Sequence, residues 1–157
     1  MAKRFSFRLE PLLKLRKSLE QDAQRQLALK IGARNDVELR LKALQEEHTQ
    51  ALESRRTGPG QEIDLAFWAD LERYLMFMEK RIVHTRLDLE TAEREVVQAR
   101  LALNRAHQDH LMLLRLKERR QDQHALEILH EEIRDADETA VLRHRFGGAQ
   151  PSPSPAP

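Results

Sequence analysis

Residues 68–113 read WADLERYLMFMEKRIVHTRLDLETAEREVVQARLALNRAHQDHLML, and their spacing decides the fold. Trp68, Leu71, Leu75, Met78, Ile82, Thr85, Leu89, Ala92, Val96, Ala99, Leu103, Ala106, His110 and Leu113 follow one another in alternating steps of three and four residues. Only Thr85 and His110 interrupt the apolar character. A helix turns once in about 3.6 residues, so a seam with a period of about 3.5 stays in contact only when helices wind round each other with a left-handed supercoil. The stretch predicts one strand of a coiled coil, and the question becomes where its partner lies.

The partner is found upstream in the same chain. Leu12, Leu15, Leu19, Ala23, Leu27, Ile31, Val37, Leu41, Leu44 and Leu52 recur at helical spacing and predict a second apolar stripe. Between the two stripes lies Thr57-Gly58-Pro59-Gly60, the one strong interior break, where two glycines and a proline permit a reversal that no helix tolerates. The expected fold is all-α, a long antiparallel two-helix coiled-coil hairpin. Arm one runs over about 9–56, the turn over 57–62 and arm two over about 63–145. Residues 147–157, rich in Pro and Ser, have no means of burying surface and are expected to be a disordered tail.

If the reversal is centred between Pro59 and Gly60, facing residues have numbers summing to about 119, with Leu44 beside Leu75 and Leu12 beside His107. Arm one then runs out opposite Leu113. Beyond the polar stretch from Lys117 to Gln123, a new stripe of Leu126, Leu129, Ile133, Ala136 and Ala140 has no partner left in this chain, so an unpaired C-terminal helical overhang is expected. By exclusion, Leu126, Leu129 and Ile133 are candidate docking residues for another protein. Outside the seams, Glu10 with Lys14, Asp36 with Arg40, Glu38 with Lys42 and Glu90 with Arg94 each place an acid four residues before a base. Such pairs support an exposed helix by about 0.2 to 0.5 kcal/mol each.

Composition agrees with a long helical hairpin and excludes much else. The 157 residues hold 27 Lys plus Arg against 26 Asp plus Glu, with only 4% aromatic residues and no cysteine. Leu, Ala, Glu, Arg, Gln and Lys dominate, which suits long helices and argues against a sheet enzyme. Interleaved charges leave no one-signed face for nucleic acid. The absence of cysteine removes thiolate chemistry and fits a reducing cytoplasm. No run is long and apolar enough to span a bilayer, so no membrane insertion is expected.

Catalytic and cofactor motifs find no support. Gly58-Pro59-Gly60 lacks the Gly-Lys-Ser or Gly-Lys-Thr of a phosphate loop, and the scattered serines have no His and Asp arranged beside them. Glu127 and His130 match the spacing of a carboxylate-bridged iron bundle, but that site needs two such motifs and four helices. His107 and His110 lie one turn apart and are read as a seam junction, not as a metal site. No metal and no cofactor is expected, and the chain is not expected to be an enzyme.

What remains is surface for partners. With Trp68 at heptad position a, Tyr74 falls at g, Met76 at b and Phe77 at c, outside the seam and near the hairpin tip. Aromatic residues and Met are enriched at recognition surfaces. The alternative is that these groups shield the seam or pack on a copy of the protein.

The opening Phe5-Ser6-Phe7-Arg8-Leu9-Glu10-Pro11-Leu12-Leu13-Lys14-Leu15-Arg16-Lys17, with Glu20 and the run Ala23 to Leu27, resembles the start of the FliJ family of flagellar export proteins. The resemblance continues through the long helix, the short break, the aromatic-led second helix from Trp68 and the charged C-terminal segment. It implies a component of the type III flagellar export apparatus, similar in form to the central stalk of rotary ATPases. It implies two partners, the hexameric export ATPase FliI and the cytoplasmic domain of the export gate protein FlhA, with other export chaperones as further partners. The implied place is cytoplasmic, peripheral to the inner membrane at the flagellar base, and the implied roles are flagellum biogenesis, protein export, motility and chaperone activity.

The resemblance places the gate contact at the hairpin tip, on Leu44, Tyr74 and Met78, to which Phe77 is added by its position. Glu47, Ala51, Arg81 and Thr85 depart from the groups the family carries nearby. Leu44 and Met78 are also seam positions, so plain coiled-coil packing is their other reading. A purely structural coiled-coil spacer or adaptor is the alternative function.

Overall fold

The computed structural model describes residues 4–56 and 62–148. They form two helices, α1 (Glu10–Glu53) and α2 (Leu65–Gly147), packed against each other as an antiparallel hairpin in which α2 is the longer. Two compact units divide the chain, residues 15–110 forming one and the remainder of both helices the other. Residues 57–61, which hold most of the expected turn, and the expected tail beyond 148 lie outside the described residues.

Local chemistry sets the helix ends. Pro11 sits in the first turn of α1, where its missing N–H costs no helical bond. Asp64 caps α2: its Oδ1 accepts from the backbone N–H groups of Ala66 at 3.0 Å and Phe67 at 3.3 Å, satisfying two of the orphan donors. At the other side of the connection, Ser54 donates from Oγ to the Ala51 carbonyl at 2.7 Å. The Arg55 and Arg56 amides bond three residues back, to Leu52 and Glu53, which tightens and ends α1.

All fourteen expected seam positions of α2, from Trp68 to Leu113, are turned inward, Thr85 and His110 included. The deepest packing joins Leu41 and Leu44 of α1 to Met78 and Ile82 of α2, with Leu89 against them. Met78 is 1% exposed.

The first arm departs from expectation. Its inward positions include Leu13, Arg16, Glu20, Ala23, Leu27, Lys30, Arg34, Val37, Leu41, Leu44, His48 and Ala51, a strict alternation of three and four, with the expected Ile31 and the polar Glu10, Glu38 and Gln45 half-buried beside them. Leu12, Leu15, Leu19 and Leu52 are instead exposed. Contact with α2 follows the period, and the period admits polar residues that an apolar stripe passes over.

The expected register is also corrected. Within residues 15–110, Arg55 meets Glu72, His48 meets Glu79, Arg34 meets Glu93 and Glu20 meets His107, all with numbers summing to 127 and not to 119. Glu53, the last residue of α1, is therefore level with Tyr74, and the first turns of α2 run past the end of α1. The register is set by the pairs that meet across the two helices, and not by the midpoint of the connection. Of the four expected acid-base pairs along a helix, Glu90 with Arg94 forms, at 3.6 Å. Glu10 and Glu38 turn elsewhere, to Lys117 at 2.8 Å and to Arg34 at 2.5 Å.

This register predicts that cysteines at Leu44 and Ile82 form a disulfide within one chain, whereas Leu44 and Leu75 do not, because Leu75 is offset by about two helical turns. Replacing Met78 by Ala should cost about 2 to 5 kcal/mol in chemical denaturation, the full burial of that side chain placing it at the costly end.

Candidate functional site

Two kinds of feature stand out on the hairpin, a polar stretch of its seam and apolar groups that neither helix covers. The polar stretch is built by the heptad itself, which brings Arg16, Glu20, Lys30, Arg34 and His48 to positions that face α2. Each meets a group of complementary chemistry. Arg16 Nη1 lies 3.0 Å from Asp109 Oδ2, Lys30 Nζ 2.7 Å from Glu95 Oε2, and Arg34 Nη2 3.3 Å from Glu93 Oε1. His48 Nε2 is buried without a hydrogen-bond partner, 3.6 Å from the Glu79 carboxylate.

Glu20 is the centre of the most concentrated cluster. Its side chain is 13% exposed, and its two oxygens are taken by different imidazoles one turn apart on α2. His107 Nδ1 donates to Oε1 at 2.6 Å and His110 Nδ1 to Oε2 at 2.5 Å. The hydrogen bond from His107 holds the Glu20 carboxyl below the usual carboxylate range. Desolvation at the seam opposes this, and the bond from His110 with the charge of both imidazoles adds to it. Both imidazoles are thus engaged with opposite edges of one carboxylate. Among the described residues no group of three or more His, Asp or Glu is arranged to hold a metal ion.

The candidate tip residues separate into two pairs. Leu44 and Met78 lie in the core cluster, where they pack the two helices together. Tyr74 and Phe77 are 45% and 56% exposed on α2. Tyr74 is level with the end of α1, and the Arg81 guanidinium lies 5.7 Å from the centre of the Phe77 ring. On the other side of the connection, the Arg55 guanidinium stacks 5.7 Å from the Trp68 ring and pairs with Glu72.

In the unit that holds the chain's first described residues, Leu126, Leu129 and Ile133 are each about half exposed. The chain's own coverage of α2 extends further than the sequence suggested, reaching past Leu113. Glu10 bonds Lys117, and Phe5 and Phe7 alternate inward from an irregular segment, with the Phe5 ring edge-on to His124 at 5.6 Å. From Glu131 to Gly148 every residue is exposed.

Sequence reasoning missed Arg16, Glu20, Lys30, Arg34 and His48 as seam residues. The signal that finds them is the step count alone, carried back from Leu44 and Leu41 without regard to polarity. It also missed Val83 and Leu87, which line one shallow depression on the outer face of α2 with Met76, a residue the heptad count had placed outside the seam.

A carboxyl whose folded pKa is depressed contributes stability above its unfolded value and loses it as pH falls through the folded one. The wild-type chain should therefore melt at higher temperature than Glu20→Gln at neutral pH. That difference should close as pH drops below the usual carboxylate range, as followed by circular dichroism.

Among the described residues no helix is long and apolar enough to cross a membrane. Comparison with curated proteins and with solved structures returned no match. The family model described as Flagellar FliJ protein matches residues 5–148. A hairpin of two long helices with a match over nearly all its length places the chain in the flagellar FliJ protein family, components of the flagellar export apparatus.

Proposed function

We propose that this chain is a non-catalytic coupling element of flagellar export that joins the export ATPase FliI to the cytoplasmic domain of the gate protein FlhA and escorts export cargo or its chaperones. The observation that carries the reading is the placement of uncovered apolar groups on α2. Tyr74 and Phe77 are exposed alongside the last turn of α1, and Leu126, Leu129 and Ile133 are exposed at and beyond the edge of the N-terminal segment's cover. A helix that leaves such groups open at both stretches has surface for partners beyond its own hairpin.

In this reading Tyr74 and Phe77 contact the gate, with Leu44 and Met78 as the packed support beneath them. Leu126, Leu129 and Ile133 contact the ATPase. The surrounding charges Arg134, Asp135, Asp137, Glu138, Arg143 and Arg145 set orientation more than affinity. The site of action is the cytoplasmic face of the inner membrane at the flagellar base.

Replacing Tyr74 and Phe77 together by Ala should weaken capture of the FlhA cytoplasmic domain by at least about tenfold, since aromatic anchors commonly carry 2 kcal/mol or more, and should reduce swarming with helicity unchanged. Truncation after Arg120 should abolish co-purification with FliI while leaving the packed seam of residues 15–110 intact. A chain that captures neither partner in pull-downs would be a structural spacer.

A further inference from the structure

We propose that the exposed end of α2 forms a two-fold antiparallel interface with the same segment of a second copy of this chain. The charge on this stretch is unevenly distributed, with an excess of bases over 115–120, where Glu118 is the one acid and Asp122 follows, and an excess of acids over 127–140. Arg115, Arg119 and Arg120 are exposed and, among the described residues, take part in no ion pair. The segment 127–140 carries Glu127, Glu131, Glu132, Asp135, Asp137 and Glu138 against Arg134 and His130. All six acids are exposed and likewise unpaired among the described residues.

Between and beside these blocks runs an uncovered apolar face. Met112, Leu126, Leu129 and Ile133 are all about half exposed or more; Met112 precedes Leu126 by two heptads and shares its face, with Arg119 midway between them, while Ala136 and Ala140 continue the stripe with side chains small enough for a close helix approach. The N-terminal segment adds Arg4 and Arg8 next to Leu116 and Arg120, around a cleft of about 770 Å³. This deepens the positive field beside the basic block.

An isologous interface needs a patch complementary to itself. Two α2 segments laid antiparallel, with the two-fold axis passing near Leu126, set the basic block of each copy on the acidic block of the other, at both ends at once. Leu126 then meets its own copy at the axis, Leu129 lies level with the partner's Gln123, and Ile133, Ala136 and Ala140 run along the partner's face towards Met112. A parallel pairing would stack like charges on like and is disfavoured. The second copy occupies Leu126, Leu129 and Ile133, so it would compete with any other protein that docks there. The inference rests on charge and burial and is independent of the function proposed above.

The test is sedimentation equilibrium on the full-length chain at low salt, with circular dichroism to confirm unchanged helicity. The wild type should pass from one-chain towards two-chain mass between about 1 and 100 µM. Raising salt from 0.1 M to 1 M shortens the screening length from about 10 Å to about 3 Å and should weaken the dimer at least about tenfold. The variants R115E/R119E/R120E and E131R/E132R/D135R should each lose at least about tenfold in self-association, and their equimolar mixture should restore the two-chain species, because opposite blocks then face each other again. A wild-type mass of one chain throughout the range overturns the proposal. So does self-association of either charge-reversed variant as tight as the wild type, or growth beyond two chains, which an isologous contact does not allow.

Discussion

The hairpin depends on one constraint, the register in which its two helices meet. Every seventh residue of α2 on the flank of the seam, from Glu72 through Glu79, Arg86, Glu93 and Arg100 to His107, is level with a residue of α1, or in Arg55 of the chain just after it, that suits it. Glu72, Glu79 and Glu93 face Arg55, His48 and Arg34, and His107 faces Glu20. Arg86 and Arg100 are level with Leu41 and Leu27, aliphatic residues that offer no repulsion. A slip of one heptad in either direction sets Arg34 against Arg86 or against Arg100. Partly exposed ion pairs contribute at most about 1 kcal/mol each, but the apolar seam alone repeats every heptad and cannot tell one slip from another. The alternation of sign makes that distinction, as specificity is a difference between the right pairing and the wrong ones.

How much of this was legible in the sequence differs sharply between the arms. In α2 the seam is apolar at nearly every position, so following apolar residues and following the period give the same list, and even Thr85 and His110 were placed correctly. In α1 the two procedures diverge. Leu12, Leu15 and Leu19 form a convincing stripe one residue away from Leu13, Arg16 and Glu20, and one residue is a rotation of about 100° on a helix. Apolarity pointed to the first set because burial usually selects it. The structure uses the second because its polar members have partners waiting on α2. The register was beyond reach for a different reason: it is fixed by contacts between residues distant in sequence, which no residue count supplies.

The same choice explains where the exposed apolar groups come from. Placing Arg16 and Glu20 in the seam turns Leu12, Leu15 and Leu19 outward. Two helices can hide only one face each, so Met76, Val83 and Leu87 on the outer side of α2 stay open as well. Residues chosen as candidate tip contacts divide along the same line. Leu44 and Met78 obey the heptad and are consumed by packing, whereas Tyr74 and Phe77 fall at g and c and keep their rings accessible. Heptad position, and not residue type, decides which of the four can meet another protein.

The N-terminal segment sets the last boundary. Residues 4–9 are not helical, and their alternation of exposed Arg4, Ser6 and Arg8 with inward Phe5 and Phe7 is the two-residue period of extended chain. An extended segment covers more helix per residue than a helix could, which is how so short a stretch reaches as far as His124. Aromatic rings do here what leucines do in the seam, closing α2 from Lys117 onward without a second helix. Coverage thins beyond His124: Glu127 still borders the cleft beside the N-terminal segment and Ile128 is half-buried, whereas every described residue from Leu129 onward is exposed.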